Sequence, residues 1–360
     1  REDATRRSRL VDGLVALVAA GATPATVARF FAALAADEVA EVTLRRPDLV
    51  GPLPGAPLEA RFVANRLLVA ELRRSAEQRG AWVERAVLTA LLRSGRNILL
   101  VEGVGPLRIA EWVGPIDAAH VAVLVPGAGV DAAAFDGLAE SAETMVRLDT
   151  SGELAVVAAL VYGTPPSLLA AAGGGHADRG GPELAAFVAG LPVAGRHLTL
   201  VGHSYGATVI GEALRHGLAA TLGTGGDVVA LGAPGLRTDT VAGLGLAPGH
   251  VWAALVPGDE IQLAIHPRTI GCLVGAMSPP VALPACDVSE WLVHGRNPAH
   301  PAFGATVFDA DPGGGRSGLA HGDYLTTWWE GGAELPTAAL ANVLRIATGR
   351  YEEVTPPQDG

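Results

Sequence analysis

The segment Gly202-His203-Ser204-Tyr205-Gly206 sets a serine between two glycines. It follows the leucine-rich, β-branched run 198–201 and precedes a stretch of helical character, 207–215. A strand, a sharp turn and a helix around G-x-S-x-G is the setting of a nucleophile elbow, which makes Ser204 a candidate nucleophile. Glycines are needed at both flanks because the turn is strained and the neighbouring backbones approach closely. The pentapeptide alone decides little. With 47 Gly and 10 Ser in 360 residues, random placement yields it about 0.2 times. A Gly-rich turn whose serine merely caps a helix would look the same.

A serine hydroxyl is a weak nucleophile at neutral pH, so it needs a base, and a histidine base needs a carboxylate to fix its tautomer. In an open α/β sheet these groups sit just beyond the carboxyl ends of strands. Asp259 follows an apolar run within Val256-Pro257-Gly258-Asp259-Glu260, and His321 follows another within Ala320-His321-Gly322-Asp323-Tyr324. The order Ser, Asp, His is that of α/β-hydrolases. Glu260 is the local rival of Asp259, which is preferred because its shorter side chain comes first after the Pro-Gly turn. His266, His294 and His300 are the rivals of His321, but all precede the eighth strand-like run.

An acyl-transfer site also needs two backbone N–H groups aimed where negative charge develops. Tyr205, next to the nucleophile, is the expected first donor. Ala128, in the loop Pro126-Gly127-Ala128-Gly129 after the third run, is the expected second. That loop has a competing reading, since Gly127-Ala128-Gly129-Val130-Asp131-Ala132 matches a dinucleotide-binding fingerprint. Such a site requires an acidic residue ending the next strand; Asp149 precedes that strand, which ends near Tyr162. No cofactor is therefore expected. No metal is expected either, because there is no H-E-x-x-H, and Cys272 and Cys286 have no matching His or Cys pair. Those two cysteines fit a disulfide or two free thiols equally well.

The elements that must position these groups fall into two regions. Residues 1 to 95 read as a helical subdomain: Leu14, Leu17 and Val18 recur at helical spacing, and Thr23-Pro24 is an N-cap followed by proline at the first helical position. Arg61 to Arg74 carries Phe62, Leu67, Leu68 and Leu72 between polar residues. Val11 to Ala22 is interrupted by Asp12 and Gly13, so it reads as an amphipathic helix rather than a membrane span or a signal segment. From Asn97 the period shortens. Eight strands are expected, at 98–101, 107–113, 121–125, 154–161, 197–201, 228–231, 251–256 and 305–308, the later ones separated by helices. This is the pattern of a mainly parallel sheet covered on both faces, in a domain spanning 96–350 with a tail from 351 to 360.

Composition narrows the partners. Hydrophobic residues make up 49% of the chain and its mean hydropathy is +0.32, enough for a large core. All 26 basic residues are Arg, so Schiff-base and other lysine chemistry is excluded. A net charge of -11 argues against nucleic acid and anionic membranes as partners. A small neutral or apolar molecule is the better expectation. A cytoplasmic location is expected, with secretion after removal of a leader left open; the oligomeric state is not legible.

Taken together, the Pro126-Gly127-Ala128-Gly129 loop with Phe135-Asp136-Gly137, the Gly202 to Gly206 elbow, Leu231-Gly232-Ala233-Pro234-Gly235, Asp259, Phe303-Gly304 and His321-Gly322-Asp323-Tyr324-Leu325 resemble an actinobacterial α/β-hydrolase family formerly known only as a domain of unknown function. Ala64-Asn65-Arg66 resembles its N-terminal region. The resemblance implies an α/β-hydrolase fold, a Ser204, Asp259, His321 triad and esterase-like activity, but no physiological substrate. Ala128 departs from the Thr of many members, which a backbone donor survives.

The expected activity is hydrolysis of an ester or thioester of a small apolar acyl substrate through an acyl-enzyme. An acyltransferase or cyclase using the same triad is the first alternative, and a non-catalytic binding protein on this fold the second. The connection 260–304 is far longer than usual and rich in apolar residues, so it is expected to act with the N-terminal helices as a lid. Gly127, Gly129, Val130 and Tyr162, in loops after the third and fourth strands, together with Met277 and Trp291 in that connection, are expected to contact substrate.

Overall fold

The computed structural model describes residues 2–103, 106–256, 259, 293–311 and 320–357. All eight expected strands are present: β1 (Ile98–Glu102), β2 (Arg108–Val113), β3 (His120–Val125), β4 (Leu154–Leu160), β5 (His197–His203), β6 (Asp227–Leu231), β7 (Val251–Ala254) and β8 (Thr306–Val307). They form one sheet in the order β1-β2-β4-β3-β5-β6-β7-β8. β2 is antiparallel to β1 and β4, and every pairing from β4 to β8 is parallel. Parallel strands joined by helices are covered on both faces, which is why every residue of β4 is buried and its sequence is uniformly apolar.

Among the described residues, helices α1 (Glu2–Ala19), α2 (Pro24–Ala32), α3 (Ala36–Arg45), α4 (Pro47–Val50), α5 (Leu58–Gln78) and α6 (Trp82–Leu91) precede the sheet. Thr23 caps α2 through Thr26 N at 3.3 Å, as the Thr-Pro pair predicted. Leu14, Val27, Phe31, Val42, Val50 and the first half of α5 share a small core of their own. Further along, Val69 and Ala76 of α5 and Leu88 and Leu91 of α6 pack into the core beneath the sheet. The buried Arg61 and Asn65 fasten this region to the sheet edge, each donating to the carbonyls of both Gly51 and Leu99.

Helices α7 (Phe135–Leu148), α8 (Leu168–Ala171), α9 (Gly175–Ala189), α10 (Tyr205–Ala213), α11 (Ala219–Leu222) and α12 (Ala338–Ala347) accompany the parallel strands. A hairpin of β9 (Thr327–Glu330) and β10 (Ala333–Pro336), which the sequence reading did not anticipate, precedes α12. The segment expected to be a tail is packed through Thr355. Tyr351 stacks on Trp252 and donates to the fully buried Asp227 at 2.6 Å, and Thr355 bonds Asn342. Asp227 also accepts from His197, His250 and Trp252, at the amino ends of the parallel strands. The carboxyl ends therefore form the opposite rim, where the order of strand addition reverses between the parallel β3 and β5 and where a ligand crevice is expected.

Candidate active site

Ser204 lies at that reversal, between the end of β5 and the start of α10. Its backbone sits at φ 54, ψ -126, a left-handed conformation that side chains rarely adopt. Ser204 N donates to Leu231 O at 2.8 Å, so the β5–β6 ladder holds the strained residue in place. The flanking glycines are sterically required. A Cβ on Gly202 would lie 2.5 Å from Ala207 Cα, and one on Gly206 would lie 2.2 Å from Val125 O.

The loop after β3 presses directly on the serine, since a Cβ on Gly127 would meet Ser204 Cβ at 2.8 Å and His203 O at 2.9 Å. Two further bonds tie this loop to the one after β4: Gly129 N donates to Pro165 O at 2.8 Å, and Thr164 Oγ1 donates to Val130 O at 2.7 Å. Tyr162 is 2% exposed and its hydroxyl donates to Pro126 O at 2.6 Å. Its hydroxyl thus braces the backbone of the loop after β3. Among the described residues, the amides of Ala128 and Tyr205 have no hydrogen-bond acceptor. Tyr205 N opens α10, where the helix dipole favours negative charge. The phenol of Tyr205 is engaged elsewhere, donating to Gly173 O and accepting from Ala177 N.

Asp259 lies beyond β7 and His321 in a short turn beyond β8, and the structure brings them together. His321 Nδ1 donates to Asp259 Oδ1 at 2.9 Å and lies 3.1 Å from Oδ2. The carboxylate is 1% exposed. His321 Nε2 is buried and has no hydrogen-bond partner among the described residues, so no Ser204–His321 hydrogen bond is closed in this structure. Catalytic hydrogen bonds of this kind are commonly long without substrate.

Of the rival histidines, His294 packs its ring against Tyr205 at 5.6 Å and His300 caps a 3₁₀ turn through Ala302 N. Glu260, His266, Met277, Trp291, Cys272, Cys286 and most of the expected lid lie outside the described residues.

Two side chains at this site were not singled out from sequence. Tyr324 donates to Asp259 Oδ2 and accepts from Val256 N at 3.0 Å. His203 donates from Nε2 to His321 O at 2.6 Å. Desolvation, reinforced by the nearby His321, pushes the His203 pKa down to about 4, so its ring is neutral at pH 7. The available signal for Tyr324 was its position three residues after His321, which a tight turn brings onto the same carboxylate. Among the described residues, no His/Cys/Asp/Glu group could hold a metal ion, and no helix is long and apolar enough to cross a membrane.

A family model described as "Alpha/beta hydrolase" matches residues 102–268. Uncharacterized proteins of Mycobacterium tuberculosis and Mycobacterium bovis are 31% identical over 182 residues, which cover 47% of this chain and 65% of theirs. The match thus spans less than two thirds of those relatives' length. Solved structures with local likeness include a serine hydrolase without a lid from Xanthomonas campestris, at 19% identity over 47% of this chain and 74% of that one, TM-score 0.30. An esterase from Pyrobaculum calidifontis is 14% identical over 54% of this chain and 79% of that one, TM-score 0.29. The chain has an α/β-hydrolase fold, with an eight-stranded mixed sheet and N-terminal helices, and is related to uncharacterized mycobacterial proteins.

Proposed function

We propose that this chain is a serine hydrolase that cleaves an ester or thioester of a small apolar acyl substrate through an acyl-enzyme. Ser204 Oγ attacks the carbonyl carbon while His321 Nε2 takes its proton; Asp259 orients the imidazole and stabilises the imidazolium. The amides of Ala128 and Tyr205 receive the charge that develops on the carbonyl oxygen. The protonated His321 then gives its proton to the leaving group, and water repeats the sequence to release the acid. The reading rests on one observation above all: Asp259 holds His321 Nδ1 at 2.9 Å and leaves Nε2 buried, with no hydrogen-bond partner among the described residues, while the strained Ser204 follows the end of β5 in the same sheet.

A fluorophosphonate probe tests it. Wild type takes the label at Ser204, and Ser204→Ala does not; equal labelling of both proteins would reject the assignment. Loss of Ser204 or His321 lowers ester turnover by several orders of magnitude, with a residue from the oxyanion donors.

A further inference from the structure

The Asp259 carboxylate is held from two sides. On one stands His321 Nδ1; on the other stands Tyr324 Oη, which is 1% exposed and bonded to Oδ2. The phenol is fixed in turn. Val256 N donates to its oxygen at 3.0 Å, Thr337 Oγ1 at the cap of α12 donates to Tyr324 O at 3.2 Å, and the His203 ring lies 5.7 Å from its own. Gly232, at φ 52 after β6, makes room for the pair. A Cβ there would lie 2.9 Å from both Asp259 Oδ2 and Tyr324 Oη.

A carboxylate only accepts hydrogen bonds, so the proton of the Tyr324–Asp259 contact belongs to the phenol. Burial, and then the carboxylate itself, push the Tyr324 pKa well above the usual phenol value, so that proton stays in place at any working pH. A hydrogen bond between a neutral donor and a charged acceptor is both strong and directional.

We propose that Tyr324 is a positioning residue for the reaction described above. It fixes the rotation of the Asp259 carboxylate so that Oδ1 faces His321 Nδ1, and it draws negative charge toward Oδ2 so that the imidazolium is not over-stabilised. The inference rests on the serine hydrolase reading. It assigns Tyr324 no proton transfer: the serine proton travels to His321 and then to the leaving group, and the phenol keeps its own. Among the described residues, the titratable groups facing His321 are Asp259 from beyond β7, His203 from β5 and, through the carboxylate, Tyr324.

The test is hydrolysis of 4-nitrophenyl butyrate by the full chain as a function of pH. Tyr324→Phe keeps the ring and removes the donor. Its kcat falls roughly tenfold or more while KM stays within about twofold, because the lost contact serves the transition state rather than binding. The acid limb of its rate profile moves to higher pH, by about half a unit, because the freed carboxylate binds the imidazolium more tightly. In an Asp259→Asn background the same substitution has little further effect. A second variant, Tyr324→His, retains a ring donor and recovers part of the lost kcat, which guards against a Tyr324→Phe protein that does not fold.

An acid limb that stays in place, or effects that add across the Asp259→Asn cycle, overturns the positioning role while leaving the hydrolase reading intact. A wild type that neither hydrolyses the ester nor takes a fluorophosphonate overturns both.

Discussion

His203 Nε2 donates to the main-chain carbonyl of His321 at 2.6 Å, joining the residue just before the candidate nucleophile to the candidate base itself. The two come from elements separated by more than a hundred residues, and their rings lie 4.8 Å apart. The bond needs a proton on Nε2, and the neutral ring can supply it. Desolvation holds the His203 pKa at about 4, against 6.5 for an unperturbed histidine. Between those values the unfolded chain takes up a proton that the folded chain does not. The stability carried by this neutral ring is therefore complete above pH 6.5 and is lost as pH falls through about 4. Melting temperatures measured from neutral pH down to about 4 should fall for wild type, and fall less steeply for His203→Phe. His120 and His294, also held low by desolvation, contribute equally to both proteins. The difference isolates His203, and parallel curves would reject its role.

Ser204 is one of two non-glycine residues with positive φ among the described residues. Strain of this kind costs about 1–3 kcal/mol and persists only where the surroundings enforce it. Ser204→Gly relieves it and should raise stability by about 1 kcal/mol, after the entropy that glycine adds to the unfolded chain. Ser204→Ala keeps the strained backbone and should change stability by less than about 0.5 kcal/mol. Neither variant should turn over ester. Denaturant unfolding of the two proteins side by side checks this, and equal stabilities would show that the turn is unstrained.

Two glycines at the elbow should respond differently to the same methyl group. On Gly206 it lands 2.2 Å from Val125 O, a backbone atom inside the sheet that cannot move cheaply. Gly206→Ala should cost about 3 kcal/mol or more, or yield no folded protein. On Gly127 it meets Ser204 Cβ at 2.8 Å, from a loop at the rim. That loop can shift by a few tenths of an ångström, so Gly127→Ala should fold, yet carry the Ala128 amide away from where the oxyanion forms. The expected result is a loss of about 10- to 100-fold in kcat with a melting temperature near wild type. A melting temperature that falls with activity for Gly127→Ala would place the damage in folding instead.

How much of this was visible in the sequence depends on how local each signal is. Buried parallel strands such as β3, β4 and β5 appear as nearly continuous apolar runs, and all eight strands were found with ends displaced by only a few residues. The β9–β10 hairpin was missed because its strands are half exposed and Trp328-Trp329 gives no alternation, although Gly331-Gly332 marks its turn. Ser204, Asp259 and His321 stand out because each follows a strand end, a rule of chain order and topology. Tyr324 and His203 act through contacts that only the folded loops create. Tyr162, two residues past the end of β4, has its ring packed where Gly180 leaves room for it and its hydroxyl on Pro126 O, contacts that the sequence alone does not reveal. Residue 351 was read as tail from the polar and proline-rich sequence after it, whereas its partner Asp227 lies 124 positions away.

All four tyrosines of the chain are pushed above the ordinary phenol value of 10.0, in each case chiefly by burial. Tyr324 and Tyr351 are raised further because their hydroxyls donate to Asp259 and Asp227, and an ionised phenol beside a carboxylate is unfavourable. A raised pKa means that the folded chain keeps these protons where the unfolded chain releases them. The stability they represent is present below pH 10 and is lost as pH rises beyond it. Alkaline titration should therefore show tyrosinate absorbance appearing in a single cooperative step together with loss of helical circular dichroism. Any tyrosine that ionises near pH 10 with the helical signal intact would show that its hydroxyl is not held as described.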